Sequence, residues 1–88
     1  MLFAPGNVVR SSAGRDKNHL YVVVSLALGR VLVADGQRRT IRNAKPKNPL
    51  HLELVGGGDA AALTDHEIRQ LLQRMVELSQ KCKEKGGN

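Results

Sequence analysis

The feature that most constrains this 88-residue chain is a change of hydrophobic rhythm at Gly56-Gly57-Gly58. Before these glycines, apolar residues alternate or run in short β-branched blocks; after them, apolar residues recur at helical spacing. Three consecutive glycines have the composition of a flexible hinge. The expected organisation is therefore mainly β with one C-terminal α-helix. A small five-stranded β-barrel spans residues 1–55, a Gly-rich linker residues 56–63, and an amphipathic helix residues 64–84, packed on the barrel or on a partner. A domain this short has a thin core and little room for a deep active-site cleft. With only Phe3 and Tyr21 as aromatics, that core must be built from Val, Leu and Ala.

Five strands are predicted. The first begins over Asn7 to Arg10 and ends at the polar stretch Ser11 to Asn18. The second, His19 to Leu28, holds the β-prone run Tyr21-Val22-Val23-Val24 and sets Leu20, Val22, Val24 and Leu26 on one face. Arg30 to Asp35 follows as its antiparallel partner, with the hairpin turning near Leu28-Gly29. Asp35-Gly36 signals a tight turn into a fourth strand, Arg38 to Arg42. Proline lacks a ladder donor, so Asn43 to Pro49, with Pro46 and Pro49, cannot be a central strand and is expected to be an exposed basic loop. His51 to Leu54 alternates and supplies the fifth strand.

Thr64-Asp65-His66-Glu67 has the form of a capping box and starts the helix. At about 100° per residue, Ile68, Leu71, Leu72, Met75, Val76, Leu78, Ser79 and Cys82 fall in one stripe roughly 160° wide. Arg69, Gln70, Gln73, Arg74, Glu77 and Lys81 occupy the opposite face, and Gly86-Gly87 is a natural stop. Leu71, Leu72, Met75 and Leu78 form the surface expected to meet a protein partner if the barrel leaves part of the stripe uncovered.

The net charge of +6 lies wholly in the β segment. Residues 1–58 carry nine basic side chains against three acidic ones, whereas residues 59–88 are neutral. A concentrated positive field gathers polyanions, because each phosphate contact releases condensed counterions. The lone Cys82 forms no internal disulfide, no secretory segment is visible, and the longest apolar stretch, Leu20 to Leu28, is far too short to span a bilayer. A reducing cytoplasm is expected, with no membrane association.

Two basic clusters stand out. Gly14, in Ala13-Gly14-Arg15-Asp16-Lys17-Asn18, permits backbone dihedrals closed to other residues, and Asn18 reaches the left-handed region at low cost. Arg15 can fork two hydrogen bonds to a phosphate or a guanine edge, while Lys17 acts as a point charge. In the second cluster, a strand over Arg38 to Arg42 would direct Arg38 and Arg42 to one face and Arg39 to the other. Lys45 and Lys47 would extend this patch along a proline-stiffened loop that holds their charges outward. Tyr21 is the one strong candidate for stacking on an unpaired base, but burial is expected for it, and with so few aromatics recognition is expected to rest on phosphates and shape. His19, His51, His66 and Cys82 lack metal-ligand spacing, and there is neither a phosphate-binding GxxxxGK[ST] motif nor a nucleophile elbow. No cofactor and no enzymatic activity are expected.

Gly6 to Arg10, Ala13 to Lys17 and Leu20 to Val24 together resemble a KOW motif. The continuation Arg30 to Gly36, Arg38-Arg39 and Pro49 to Leu54 is closest to one branch: the large-subunit ribosomal protein fourteen of eukaryotes and archaea, with its small bacterial RNA-binding relatives. The likeness covers about Pro5 to Val55. It implies an SH3-like barrel that binds RNA, with Gly14 at the motif's glycine and Arg15 and Lys17 as its basic flanks. Asn18 stands where many members have a second glycine. The residues expected to contact RNA are Arg10, Gly14, Arg15, Lys17, Arg38, Arg39, Arg42, Lys45 and Lys47, and structured ribosomal RNA is the expected partner, which would make the protein ribosome-associated. Phosphates are common to DNA and RNA, so the resemblance selects RNA where charge does not. The competing expectation is a protein-interaction module of the transcription or translation machinery, docking through the helix.

Overall fold

A computed structural model describes the backbone of residues 3–56 and 64–87, and side chains as far as residue 77. The linker beyond Gly56, and the side chains of Leu78 and Cys82, lie outside the described residues. The strands are β1 (Val8–Ser11), β2 (Leu20–Ala27), β3 (Arg30–Ala34), β4 (Lys45–Lys47) and β5 (Leu52–Gly56), followed by helix α1 (Asp65–Gly87). They form one antiparallel sheet in the order β4-β3-β2-β1-β5. The fold is thus mainly β with one C-terminal helix, and the sheet is barrel-like but open, with β4 and β5 at its edges.

Both faces of the sheet are covered, which is why its strands read as valine runs. Successive side chains point to opposite faces. Val9, Tyr21, Val23, Val31 and Val33 pack with Phe3 and Leu52 on one face, while Val8, Val22 and Ala34 pack against Ile68 and Leu72 of α1 on the other. Valines supply most of the first core, as the composition demands, but both aromatic rings, Phe3 and Tyr21, join it.

The β2–β3 hairpin turns where expected. Leu28 and Gly29 both have positive φ, 48° and 76°, the requirement of a two-residue turn that matches strand twist. The simple alternation along β2 does not persist. A bulge at Val24 lets Val23 pair with Val33 but Ser25 with Leu32 and Leu26 with Val31. Cross-strand partners share a face, so the extra residue carries Leu26 away from the Leu20 and Val22 side.

The fourth strand is not Arg38 to Arg42. The Asp35 carboxylate accepts the amides of Gln37 and Arg39 at 2.8 and 3.0 Å, while the Asp35 and Gly36 amides both donate to the Arg39 carbonyl. These bonds close a tight turn and occupy the groups a ladder would need. A single 3₁₀ turn, Ile41–Asn43, follows, and the strand is Lys45–Lys47, paired with β3 through Val31, Leu32 and Val33. Pro46 is tolerated because β4 is an edge strand. The segment expected to be an exposed loop is therefore part of the sheet.

Thr64 caps α1 in the reciprocal manner predicted: its Oγ1 accepts the Glu67 amide at 3.2 Å, and its own amide donates to Glu67 Oε1 at 3.3 Å. The helix start is docked on the turn after β3. Ile41 donates its amide to Asp65 Oδ1 at 2.9 Å, and a Cβ on Gly36 would lie 2.4 Å from the Asp65 carbonyl oxygen. Gly36 therefore permits helix and turn to touch. Of the apolar stripe, Ile68 and Leu72 are buried, Leu71 and Met75 are partly buried against the same cluster, and Val76 is 42% exposed.

Candidate functional site

The loop between β1 and β2 is pinned from within by Asp16. Gly14 at φ +88° and Asn18 at φ +74° turn the chain back, so that the Asn18 amide reaches the Ser11 carbonyl at 2.7 Å and the Ser11 amide that of His19 at 2.9 Å. The turn directs Asp16 inward, where it accepts hydrogen bonds from Tyr21 Oη at 2.6 Å, Ser11 Oγ at 2.9 Å and Lys47 Nζ at 3.1 Å. Lys45 Nζ stands 3.4 Å away. Arg15 and Lys17, flanking the anchored carboxylate, are left exposed.

Burial alone would raise the Asp16 pKa. The hydrogen bonds from Tyr21, Ser11 and Lys47, with the Lys47 charge, outweigh it and hold the carboxyl well below the ordinary aspartate range. The same environment acts in the opposite sense on Tyr21, whose phenol is raised by burial and by donating to a neighbouring anion. Asp35 follows Asp16: burial raises it, but the Arg39 and Gln37 amides and His19 bring it net down. Both carboxylates are thus ionised anchors at neutral pH.

Several predicted contact residues are placed otherwise than expected. Lys47 is not held outward on a loop; it is buried, with its three donors directed to Ser11 Oγ and the two Asp16 oxygens. Because β4 is an open edge, this ammonium bridges to β1 where backbone pairing is lacking. Lys45 is half-buried beside the same carboxylate, and Arg10 is engaged by Glu53 at 2.6 Å. Among the described residues, Arg15, Lys17, Arg38, Arg39 and Arg42 make no ion pair.

The structure brings the two basic clusters together. Arg15 from the β1–β2 loop and Arg38, Arg39 and Lys45 from the far side of β3 line one cleft of about 570 Å³, with Asp16 and Asp35 in its walls. Arg10, Lys17, Arg42 and Lys47 are not among its lining residues. Arg38 and Arg39 therefore do not diverge as they would on a strand, because the Asp35 turn presents both to the same hollow.

Neither a protein-family model nor a curated protein matches this chain. The cleft must be read from its own chemistry. Its guanidiniums are forked donors suited to phosphate or carboxylate oxygens, and its carboxylates are consumed in holding the loops. Among the described residues, no group of three His, Cys, Asp or Glu side chains is placed to hold a metal ion, and no helix is long and apolar enough to cross a membrane.

What sequence reasoning missed was the part played by Asp16 and Asp35. The signal for Asp35 was local: an aspartate followed by glycine commonly accepts the amide two residues on. For Asp16 there was none, since its partner Lys47 lies 31 positions away.

Proposed function

We propose that the protein binds RNA, with Arg15, Arg38 and Arg39 gripping phosphates at the cleft between the β1–β2 loop and the Asp35 turn. The observation that carries this reading is the convergence of these three cations, from segments more than twenty positions apart, on one hollow where no carboxylate among the described residues neutralises them by an ion pair. Lys17 and Arg42, both exposed, extend the positive field beyond the cleft. Lys47 and Arg10 serve the fold, since withdrawing either from its carboxylate would sacrifice an existing contact. The choice of RNA rests on the resemblance of residues 5–55 to a KOW motif, which also supports a ribosomal or ribosome-associated setting in the cytoplasm.

Binding to a structured RNA and to a DNA of the same sequence, measured across a salt series, tests this reading. Wild type is expected to lose affinity linearly in log–log form and to favour RNA. The Arg15→Ala/Arg38→Ala/Arg39→Ala variant should bind at least ~10-fold more weakly, with the slope reduced by ~2 to 3, because each phosphate contact contributes about 0.7 to 0.9 to it. Arg42→Ala, outside the cleft, should change affinity far less. A flat salt response in wild type, or unchanged affinity in the triple variant, would overturn the proposal.

A further inference from the structure

A second cleft of about 760 Å³ opens between the sheet and α1, and it shares part of its wall with the basic one. His19, Asp35 and Gln37 line both. The chemistry changes across this shared wall. One compartment is rimmed by Arg15, Arg38, Arg39 and Lys45; the other sets the apolar side chains of Leu20, Leu72 and Val76 beside the carboxamides of Gln70 and Gln73, with His66 and Arg69 also in its lining. Phosphate oxygens suit the first. The second suits a flat group with apolar faces and a hydrogen-bonding edge, and its volume is within the range of pockets that hold nucleotide-sized ligands.

We propose that this helix–sheet cleft receives the base of an unpaired RNA nucleotide while the adjoining phosphates lie on the three arginines. The inference rests on the RNA-binding reading and adds a preference to it. A base within a duplex is stacked and paired, whereas a bulged or looped base is available to be splayed into a protein hollow. His19 stands at the junction with its side chain 48% exposed, while Phe3 and Tyr21, the aromatic residues of the chain, are buried. Its ring, 4.7 Å from that of Tyr21, is held by Asp35 at 3.0 Å and offers a surface for the incoming base. Gln70 and Gln73, both exposed on α1, meet the edge of the base; Gln73 gives up a 3.4 Å bond to Glu77 to do so. The helix, which carries little of the chain's net charge, thereby becomes part of the binding surface.

The test compares two RNA hairpins, one with a fully paired stem and one with a single bulged nucleotide in the same stem, by fluorescence anisotropy with the full chain. Wild type should favour the bulged RNA by ~10-fold or more, in keeping with stacking and edge contacts to one base. The Gln70→Ala/Gln73→Ala variant should lose most of that preference and leave duplex affinity and its salt slope unchanged. Alanine favours helix, so circular dichroism should show the fold intact. Equal wild-type affinity for the two hairpins, or a variant that retains the preference, overturns the base subsite while salt-dependent binding of both RNAs upholds the phosphate site. Absence of salt-dependent binding to either RNA overturns both.

Discussion

Replacing Asp16 by Asn tests whether this carboxylate, rather than the glycine beside it, holds the β1–β2 loop. The change preserves shape and leaves an oxygen for Tyr21 or Ser11, but deprives Lys47 of its counter-charge. Lys47 and Asp16 side chains are 10% and 17% exposed, with Nζ 3.1 Å from Oδ1. Breaking a pair so sheltered costs about 3–5 kcal/mol, because the surviving charge remains buried without compensation. Marginal stability of about 0.05–0.15 kcal/mol per residue makes that a large fraction of the total for a chain this short. At about 4–8 °C per kcal/mol, the melting temperature should fall by at least ~12 °C. The second measurement is a rescue. Lys47→Met removes the orphaned charge while keeping an unbranched apolar stem, so the double variant should recover at least ~2 kcal/mol relative to Asp16→Asn alone in urea denaturation. A loss below ~1 kcal/mol for Asp16→Asn, or a double variant no more stable than the single, would refute the reasoning.

Acid and alkali should destabilise the fold through different members of the same network. The folded-state pKa values of Asp16 and Asp35 are depressed, so their contribution is present above the ordinary aspartate value near 3.9 and is lost as pH falls below it. Tyr21 is raised, so its contribution is present below the ordinary tyrosine value near 10 and is lost as pH climbs above it. Urea midpoints against pH should show both flanks, and Tyr21→Phe should flatten the alkaline one; an unchanged alkaline fall in that variant would remove Tyr21 from the account. Gly36→Ala should destabilise by ~2 kcal/mol or more, combining a φ of +79° with a Cβ 2.4 Å from the Asp65 carbonyl oxygen and 2.8 Å from Arg69 Cγ. Gly29→Ala, at a similar φ of +76° but facing open space, should cost only ~1 kcal/mol. Thermal melts of the two variants separate backbone strain from steric contact with the helix, and equal losses would count against close docking of α1 on that turn.

The elements legible in the sequence are those specified by neighbours along the chain. The Leu28-Gly29 turn, the Thr64 and Glu67 capping pair, and the glycine-permitted bend at Gly14 each draw on residues within a few positions, and each appears as its local chemistry requires. β4 was illegible because Lys45-Pro46-Lys47 has poor strand character by itself; it is held by partners on β3 and by an ammonium captured in the loop after β1. Arg38 to Arg42 has the opposite history. Its side chains suit a strand, but the Asp35 carboxylate takes its amides first. The bulge at Val24 left no mark either, since the run Val22-Val23-Val24 suits both registers. For the candidate site, the two basic clusters were visible one at a time, and it is the antiparallel order, which sets the β1–β2 loop and the turn after β3 at one end of the sheet, that brings Arg15 to the same cleft as Arg38 and Arg39.

That division alters what the charge of +6 means. A formal count treats all nine basic side chains of the β segment as one field, yet Arg10, Lys45 and Lys47 each already face a carboxylate. Their positive charges offset Glu53 and Asp16 locally, and a phosphate would have to compete with a contact that stabilises the fold. What remains for a polyanion is concentrated where Asp16 and Asp35 turn their loops inward and leave the flanking arginines outward. Stability and binding are therefore linked through the same two carboxylates: Asp16→Asn should loosen the presentation of Arg15 as well as lower the melting temperature. The loss of RNA affinity in that variant should shrink when Lys47→Met restores the loop, even though the double variant has one cation fewer. A count of charges alone predicts weaker binding after that second change, and a rigid cleft predicts stronger.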